Sequence, residues 1–111
     1  IVYMSDNWDP DWGGGLELWS NNPDTNRPKE LIKTIEPKFN RAILFDTTQN
    51  SWHGLPKPLT CPSDKYRKSL AVYYLTDVDD TTEERYRALF VPTNDQLNDS
   101  EIVEFCKERS K

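Results

Sequence analysis

His53 and Arg67 are the two residues of this sequence whose types and spacing best suit chemistry. A neutral imidazole is a good ligand for iron(II), and a site of two histidines and one carboxylate leaves positions open for oxygen and a chelating co-substrate. An arginine can grip a small carboxylate with two parallel hydrogen bonds. The order of the pair, a metal-binding histidine followed by a carboxylate-binding arginine, predicts the second half of such an iron site.

The segment that begins at Arg67 has the alternation of a strand. One face carries a cation beside small side chains, which leaves space for a ligand in front of it; this face comprises Arg67, Ser69, Ala71 and Tyr73. Lys68 is the alternative cation, but it falls on the other face with Leu70, Val72 and Tyr74. Two alternatives without a functional role stay open at this point. Arg67 could lie in solvent on an edge strand, and His53 could simply pack beside Trp52.

The sequence contains one histidine, so no mechanism that needs two can be completed within these 111 residues. The run Ile1-Val2-Tyr3-Met4 is typical of the middle of a strand. We therefore expect residues of a parent protein upstream of Ile1.

Composition limits the classes of protein that fit. The length allows one domain at most. The apolar content of 35% includes four Trp, five Tyr and four Phe, which predicts a small aromatic core with a polar surface. The net charge of -5 argues against nucleic acid as the main partner. No apolar run is long enough to span a bilayer, and no signal-peptide pattern is present. Cys61 and Cys106 are expected to be reduced thiols in a cytoplasmic protein, with one long-range disulfide as the alternative.

Short strands separated by turn residues dominate the predicted elements, which favours a sandwich or barrel. Residues 20–31 are predicted to be a loop, and an acidic linker starting at Asp77 precedes an extended piece from Arg85 to Val91. A short helix is expected at Asp99–Arg109, with Asn98 as its N-cap. The apolar face of Leu70, Val72 and Tyr74 needs cover that one short helix cannot supply, so we expect it to be exposed or covered by other chain. The predicted strands are Ile1–Met4, Leu16–Trp19, Arg41–Thr47 (buried on both faces), the short segment Trp52–Gly54, and Arg67–Thr76.

The order of these pieces resembles a known family. The runs that carry the resemblance are Ile1–Met4, Asn7-Trp8-Asp9, Gly13–Leu18, Ile35–Arg41, Ile43-Leu44-Phe45, His53 and Arg67–Tyr74. In this order they are similar to the core of prolyl hydroxylases of the prolyl 4-hydroxylase type, within the iron(II)- and 2-oxoglutarate-dependent dioxygenase superfamily. The resemblance implies an all-β, double-stranded β-helix (jelly-roll) core over residues 1–76, incomplete at its N-terminus. Residues 77–111 would be a linker and a C-terminal strand and helix extension.

The same resemblance implies the site. His53 would be the distal iron ligand, while Arg67 and Tyr3 would bind the remote carboxylate of 2-oxoglutarate. The other two ligands, in a His-x-Asp motif, are expected upstream of Ile1, because the sequence contains no such motif. Asp6, Asp9 and Asp11 come after the first strand rather than before it, so they are not predicted to be iron ligands. Fe(II), 2-oxoglutarate and possible ascorbate as reductant are the implied cofactors.

The implied function is hydroxylation of a C–H bond, most simply in a prolyl residue of a protein or peptide. Two alternatives stay open: a hydroxylase of a free amino acid or other small molecule, and a non-catalytic β-helix binding module that has lost its metal. A cupin-type enzyme is disfavoured by the single histidine. No membrane partner is expected, and the oligomeric state is left open.

Overall fold

The structure, a computed structural model, describes residues 1–82, 84 and 87–110. They divide into two compact units, Ile1–Asp77 and Val78–Lys111, each of which is described by itself. Within the described part of the chain, no helix is long and apolar enough to cross a membrane. Cys61 and Cys106 are free thiols.

The first unit is built from short antiparallel strands arranged in two sheets. The strands are β1 (Val2–Tyr3), β2 (Leu16–Asn22), β3 (Arg27–Ile35), β4 (Trp52–Gly54) and β5 (Ser69–Leu70). In one sheet β1 pairs with β5, and in the other the strand order is β3-β2-β4. A 3-10 helix, Pro10–Trp12, lies between β1 and β2.

Strand β1 has partners on both sides. Tyr3 lies opposite Ser69 of β5. On the other side Val2 forms an isolated bridge with Ala42, and the Tyr3 amide donates to the Arg41 carbonyl at 3.0 Å. This double pairing buries Tyr3, which is 1% exposed. With Leu16, 4% exposed, it forms the buried apolar core of the described residues.

The prediction of a loop over residues 20–31 is wrong. Strand β2 runs on to Asn22, and β3 returns from Arg27, with Asn26 in the left-handed region at φ 48° closing the turn. The breaker residue Pro28 is tolerated because β3 lies at the edge of its sheet, where a missing N–H costs no ladder bond. Cross-strand pairing therefore outweighs local turn signals here.

Two predicted strands are much shorter than expected. The segment predicted at Arg41–Thr47 keeps only the bridge at Ala42, and Leu44 is 84% exposed, so the expectation of burial on both faces is wrong for it. The strand predicted at Arg67–Thr76 is confirmed only at Ser69–Leu70, because β1 is itself two residues long. Beyond β5 the expected apolar face is exposed: 52% for Leu70, 55% for Val72 and 81% for Tyr74.

The second unit contains the helix α1, Ser100–Arg109. Its N-cap is Asp99, whose carboxylate accepts from the amides of Glu101 and Ile102, so the prediction of Asn98 as the cap is off by one residue. The carboxylate is the better acceptor at the positive end of a helix. Residues 87–91 form no strand, and Arg85 and Tyr86 of the predicted extended piece lie outside the described residues. The described residues are thus β-rich, with one short α-helix near the C-terminus.

The glycine run before β2 allows a close approach of side chains to the backbone. Gly14 is buried with φ 78°, and a Cβ built there would lie 2.8 Å from Cδ of Arg67 and 2.9 Å from Cδ2 of Leu59. A residue other than glycine would be strained by its backbone and by this contact. Gly54 in β4 has neither constraint, since nothing lies within 4 Å of the corresponding point.

These two glycines form a matched pair for a stability test. We expect Gly14→Ala to lower the free energy of unfolding by roughly 1–3 kcal/mol, from the left-handed backbone and the clash with Arg67. Gly54→Ala should be neutral or slightly stabilising, because it only restricts the unfolded chain. Urea unfolding of the two variants measures both, and equal loss in the two would contradict the packing described for Gly14.

Candidate functional site

Tyr3 presents a hydroxyl group that is buried without a partner. The side chain is 1% exposed, and its hydroxyl makes no hydrogen bond to any residue that the structure describes. An unmade hydrogen bond of a buried polar group costs about 1–3 kcal/mol. Such groups are rare in proteins, so the orphaned hydroxyl indicates a place where a polar ligand group fits.

Arg67 lies directly over this tyrosine. Its Cζ is 5.0 Å from the centroid of the Tyr3 ring, within the range of a cation–π contact. Its Nε donates a 2.7 Å hydrogen bond to the carbonyl of Gly14. In the described part of the chain its two terminal nitrogens have no hydrogen-bond partner, although the side chain is half-buried. The Nε bond therefore fixes the guanidinium, while its two terminal nitrogens remain available as hydrogen-bond donors to a ligand.

Ser5 holds the backbone on both sides of Arg67. Its hydroxyl donates to the Tyr66 carbonyl at 2.9 Å and accepts from the Lys68 amide at 2.6 Å. Ser5 is 5% exposed, so these two bonds are shielded from water. They orient Arg67 toward Tyr3, while the Lys68 side chain is exposed, in accord with the strand parity.

The arrangement suits a carboxylate. The terminal nitrogens of a guanidinium and a phenolic hydroxyl are both hydrogen-bond donors that suit carboxylate oxygens. Because the pair is half-buried or buried, the charge interaction is stronger than at an open surface. The structure thus brings two of the three predicted site residues together.

His53 has different neighbours. It lies in β4 opposite Leu18 of β2, and its ring makes an edge contact with Phe45, with 4.9 Å between ring centroids. The side chain stays partly exposed, yet partial burial lowers the pKa of His53 below its ordinary value by desolvation of the charged form. The lowered pKa favours the neutral imidazole, which is the form that binds a metal.

No direct contact joins His53 to Arg67 or Tyr3 among the interactions of the described residues. The link between them is the segment that contains Ala42 and Phe45, because Ala42 bridges to β1 and Phe45 packs on His53. A cavity shared by all three residues stays a prediction.

The described residues contain no group of three or more His, Cys, Asp or Glu side chains arranged to hold a metal ion. Asp9 has a structural role instead, since its carboxylate accepts from the Asp11 amide and caps the 3-10 helix. The role of His53 as an iron ligand therefore stays a prediction.

Three residues that matter to this geometry were not predicted from the sequence: Ser5, Gly14 and Phe45. Gly13 and Gly14 have φ of 74° and 78°, a backbone that favours glycine. No local feature of the sequence predicts the hydrogen bond from Arg67 to the Gly14 carbonyl. Ser5 and Phe45 act through contacts with residues 61 and 8 positions away, which no periodicity reveals.

Comparison with known proteins supplies the family. The family model of the 2OG-Fe(II) oxygenase superfamily matches residues 1–75, more than half of the chain. The chain belongs to the 2OG-Fe(II) oxygenase superfamily. Membership implies Fe(II) and 2-oxoglutarate as cofactors, and the Tyr3–Arg67 pair fits a carboxylate end of the latter.

Two curated relatives of this oxygenase are similar over about half of its length. Prolyl 3-hydroxylase OGFOD1 of Mus musculus is 30% identical over 60 residues, which are 54% of this chain and 11% of that protein. The protein of the same name from Xenopus laevis is 27% identical over 60 residues, 54% of this chain and 12% of its own. The chain thus spans roughly a tenth of the relatives' length. No solved structure matches it.

The unpartnered hydroxyl gives a test that turnover does not confound. In the absence of ligand, we expect Tyr3→Phe to keep or raise the free energy of unfolding, by up to about 1–3 kcal/mol, because it removes a buried polar group that has no partner. In the presence of saturating 2-oxoglutarate the variant should gain less thermal stability than the wild type does. Thermal unfolding with and without 2-oxoglutarate measures both effects. A ligand-free variant less stable than the wild type would mean that the hydroxyl has a partner within the protein.

Proposed function

We propose that this chain is part of a dioxygenase that hydroxylates a prolyl residue in a protein or peptide, with iron(II) and 2-oxoglutarate. The observation that carries the proposal is the placement of Arg67 over Tyr3, with unused donors on one and an orphaned buried hydroxyl on the other. Membership in the superfamily supports it.

Arg67 and Tyr3 anchor the carboxylate of 2-oxoglutarate that is remote from the metal. The terminal nitrogens of Arg67 form a charge-assisted pair with it, and the Tyr3 hydroxyl donates the hydrogen bond that it lacks in the protein alone. The hydrogen bond from Nε of Arg67 to the Gly14 carbonyl restricts the rotation of the guanidinium. This fixed anchor sets the orientation of the co-substrate.

His53 supplies one nitrogen to the iron. Iron(II) and 2-oxoglutarate together provide the oxygen activation that converts a C–H bond to an alcohol. Partial burial keeps the imidazole unprotonated, so the ligand does not have to lose a proton before it binds the metal at neutral pH. The edge contact with Phe45 limits the orientations open to the His53 ring.

The two short sheets support a double-stranded β-helix. Strand β1 is flanked by β5 and by the segment at Arg41 and Ala42, while β2 is flanked by β3 and β4. A jelly-roll core is built from two antiparallel sheets, and here Tyr3 lies in one sheet and His53 in the other.

The proline substrate rests on the relatives. The curated proteins that match are named as prolyl 3-hydroxylases, and a prolyl residue needs a protein or peptide to carry it. At this level of identity the name supports the class of substrate only.

Arg67 and its neighbour Lys68 give a matched pair of cations for testing the anchor. Arg67→Ala removes one partner of a partly buried charge pair and should weaken binding of 2-oxoglutarate by roughly 2–5 kcal/mol. Lys68→Ala should do little, because the Lys68 side chain is exposed. The measurement is the apparent KM for 2-oxoglutarate, from succinate formed by the intact protein with iron(II) and ascorbate.

Two results would count against the assignment. A larger effect from Lys68→Ala than from Arg67→Ala would mean that the strand register is off by one residue. No effect from either would place the carboxylate anchor elsewhere in the protein.

A further inference from the structure

A groove of about 360 Å³ runs between two loops of the first unit. One wall comes from the loop after β1 and contains Asn7, Trp8 and Pro10, and the other is the turn from Glu36 to Phe39. Its volume is at the low end of the range for ligand-binding clefts. None of these lining residues takes part in the site formed by Tyr3, Arg67 and His53.

The first wall is held rigidly. The indole Nε1 of Trp8 donates a 3.0 Å hydrogen bond to the Gly13 carbonyl. Its ring also meets Trp12 edge to face, with centroids 5.2 Å apart at 89°. An aromatic surface that is already fixed loses little conformational entropy when a ligand binds to it.

The opposite wall is an ordered turn that exposes an aromatic ring. Arg41 bonds the carbonyl of Glu36 through Nη1 at 3.0 Å and that of Lys38 through its amide at 3.1 Å. Phe39 is nevertheless 57% exposed. Because Phe39 is exposed on a rigid turn, its ring does not contribute to the core. The ring is therefore available to a ligand.

Both walls are anchored on the proposed co-substrate site. Trp8 bonds the carbonyl of Gly13, the residue before the glycine that Arg67 grasps. The turn is attached to Tyr3, whose carbonyl accepts from the Asn40 amide at 3.0 Å and whose amide donates to Arg41. A ligand in the groove is thus positioned relative to the residues that hold 2-oxoglutarate.

Acidic residues are the sequence neighbours of the first wall, and they are called the rim here. Asp6, Asp9 and Asp11 are interspersed in sequence with the lining residues Asn7, Trp8 and Pro10, and Glu36 is itself a lining residue of the other wall. All four carboxylate side chains are exposed, and Lys38 is the cation among the lining residues. This excess of negative charge complements a cationic ligand and repels an acidic one.

We propose that this groove, between Trp8 and Phe39, docks a basic, proline-containing segment of the substrate protein. The inference rests on the proposed function. Aromatic-lined grooves take proline-rich segments because the extended polyproline II conformation is already ordered and presents apolar rings to flat side chains. Lysine or arginine residues beside the proline then meet the carboxylates of the rim.

Direct binding tests the groove without any turnover. Fluorescence anisotropy would be measured on the intact protein, without iron or 2-oxoglutarate, using a labelled peptide with proline flanked by lysine and arginine. Two matched peptides replace proline by alanine or the basic residues by glutamate. We expect both replacements to weaken binding by about tenfold or more, and affinity for the basic peptide to fall as salt rises.

Phe39 and Phe105 provide a matched pair of variants. Both rings are 57% exposed, but Phe105 lies in α1 of the second unit. Phe39→Ser should weaken binding of the basic peptide by about tenfold, whereas Phe105→Ser should leave it unchanged. Glu36→Gln, which keeps the backbone carbonyl bonded to Arg41, should weaken binding less and reduce its salt dependence.

Equal affinity for the three peptides, or equal effects of Phe39→Ser and Phe105→Ser, would overturn the groove assignment. If Phe39→Ser fails to fold, an unchanged affinity and salt dependence in Glu36→Gln would overturn it instead. Failure of the proposed function has a different signature: the intact protein with iron(II) forms no succinate from 2-oxoglutarate with any of these peptides, whatever their affinities.

Discussion

The hydrogen bond from Nε of Arg67 to the carbonyl of Gly14 is the contact on which the rest of the site depends. It joins the segment before β5 to the turn before β2, residues 53 positions apart. It is short because Gly14 has no side chain, and its left-handed backbone turns the carbonyl toward the arginine. Once that edge of the guanidinium is committed, its remaining donors lie over Tyr3.

The buried hydroxyl of Tyr3 is the energetic counterpart of this contact. The Tyr3 amide donates to the Arg41 carbonyl and the Tyr3 carbonyl accepts from the Asn40 amide, and these two bonds hold the backbone of the buried tyrosine in place. The protein alone thus carries the cost of a buried hydroxyl that has no partner among the described residues.

The sequence suggests this candidate site by two different routes. Strand alternation separates Arg67 from Lys68, and it needs only the residues near position 67. The role of Tyr3 came from the resemblance to prolyl hydroxylases, since nothing local marks one tyrosine of five. Strand β3 was missed because Pro28 and the asparagines of the turn are strong breakers, and only its pairing with β2 shows that they are tolerated. The segment 41–47 was overpredicted for the opposite reason: its apolar residues favour a strand, but β1 offers a partner only near Ala42.

A structure of the intact protein with 2-oxoglutarate and a metal, prepared without oxygen, would test the central claim most directly. The account predicts that the remote carboxylate accepts hydrogen bonds of about 2.7–2.9 Å from the terminal nitrogens of Arg67, and one from the Tyr3 hydroxyl. The imidazole of His53 should lie at bonding distance from the metal. A carboxylate bound away from Arg67, with the Tyr3 hydroxyl still unpartnered or His53 turned from the metal, would contradict it.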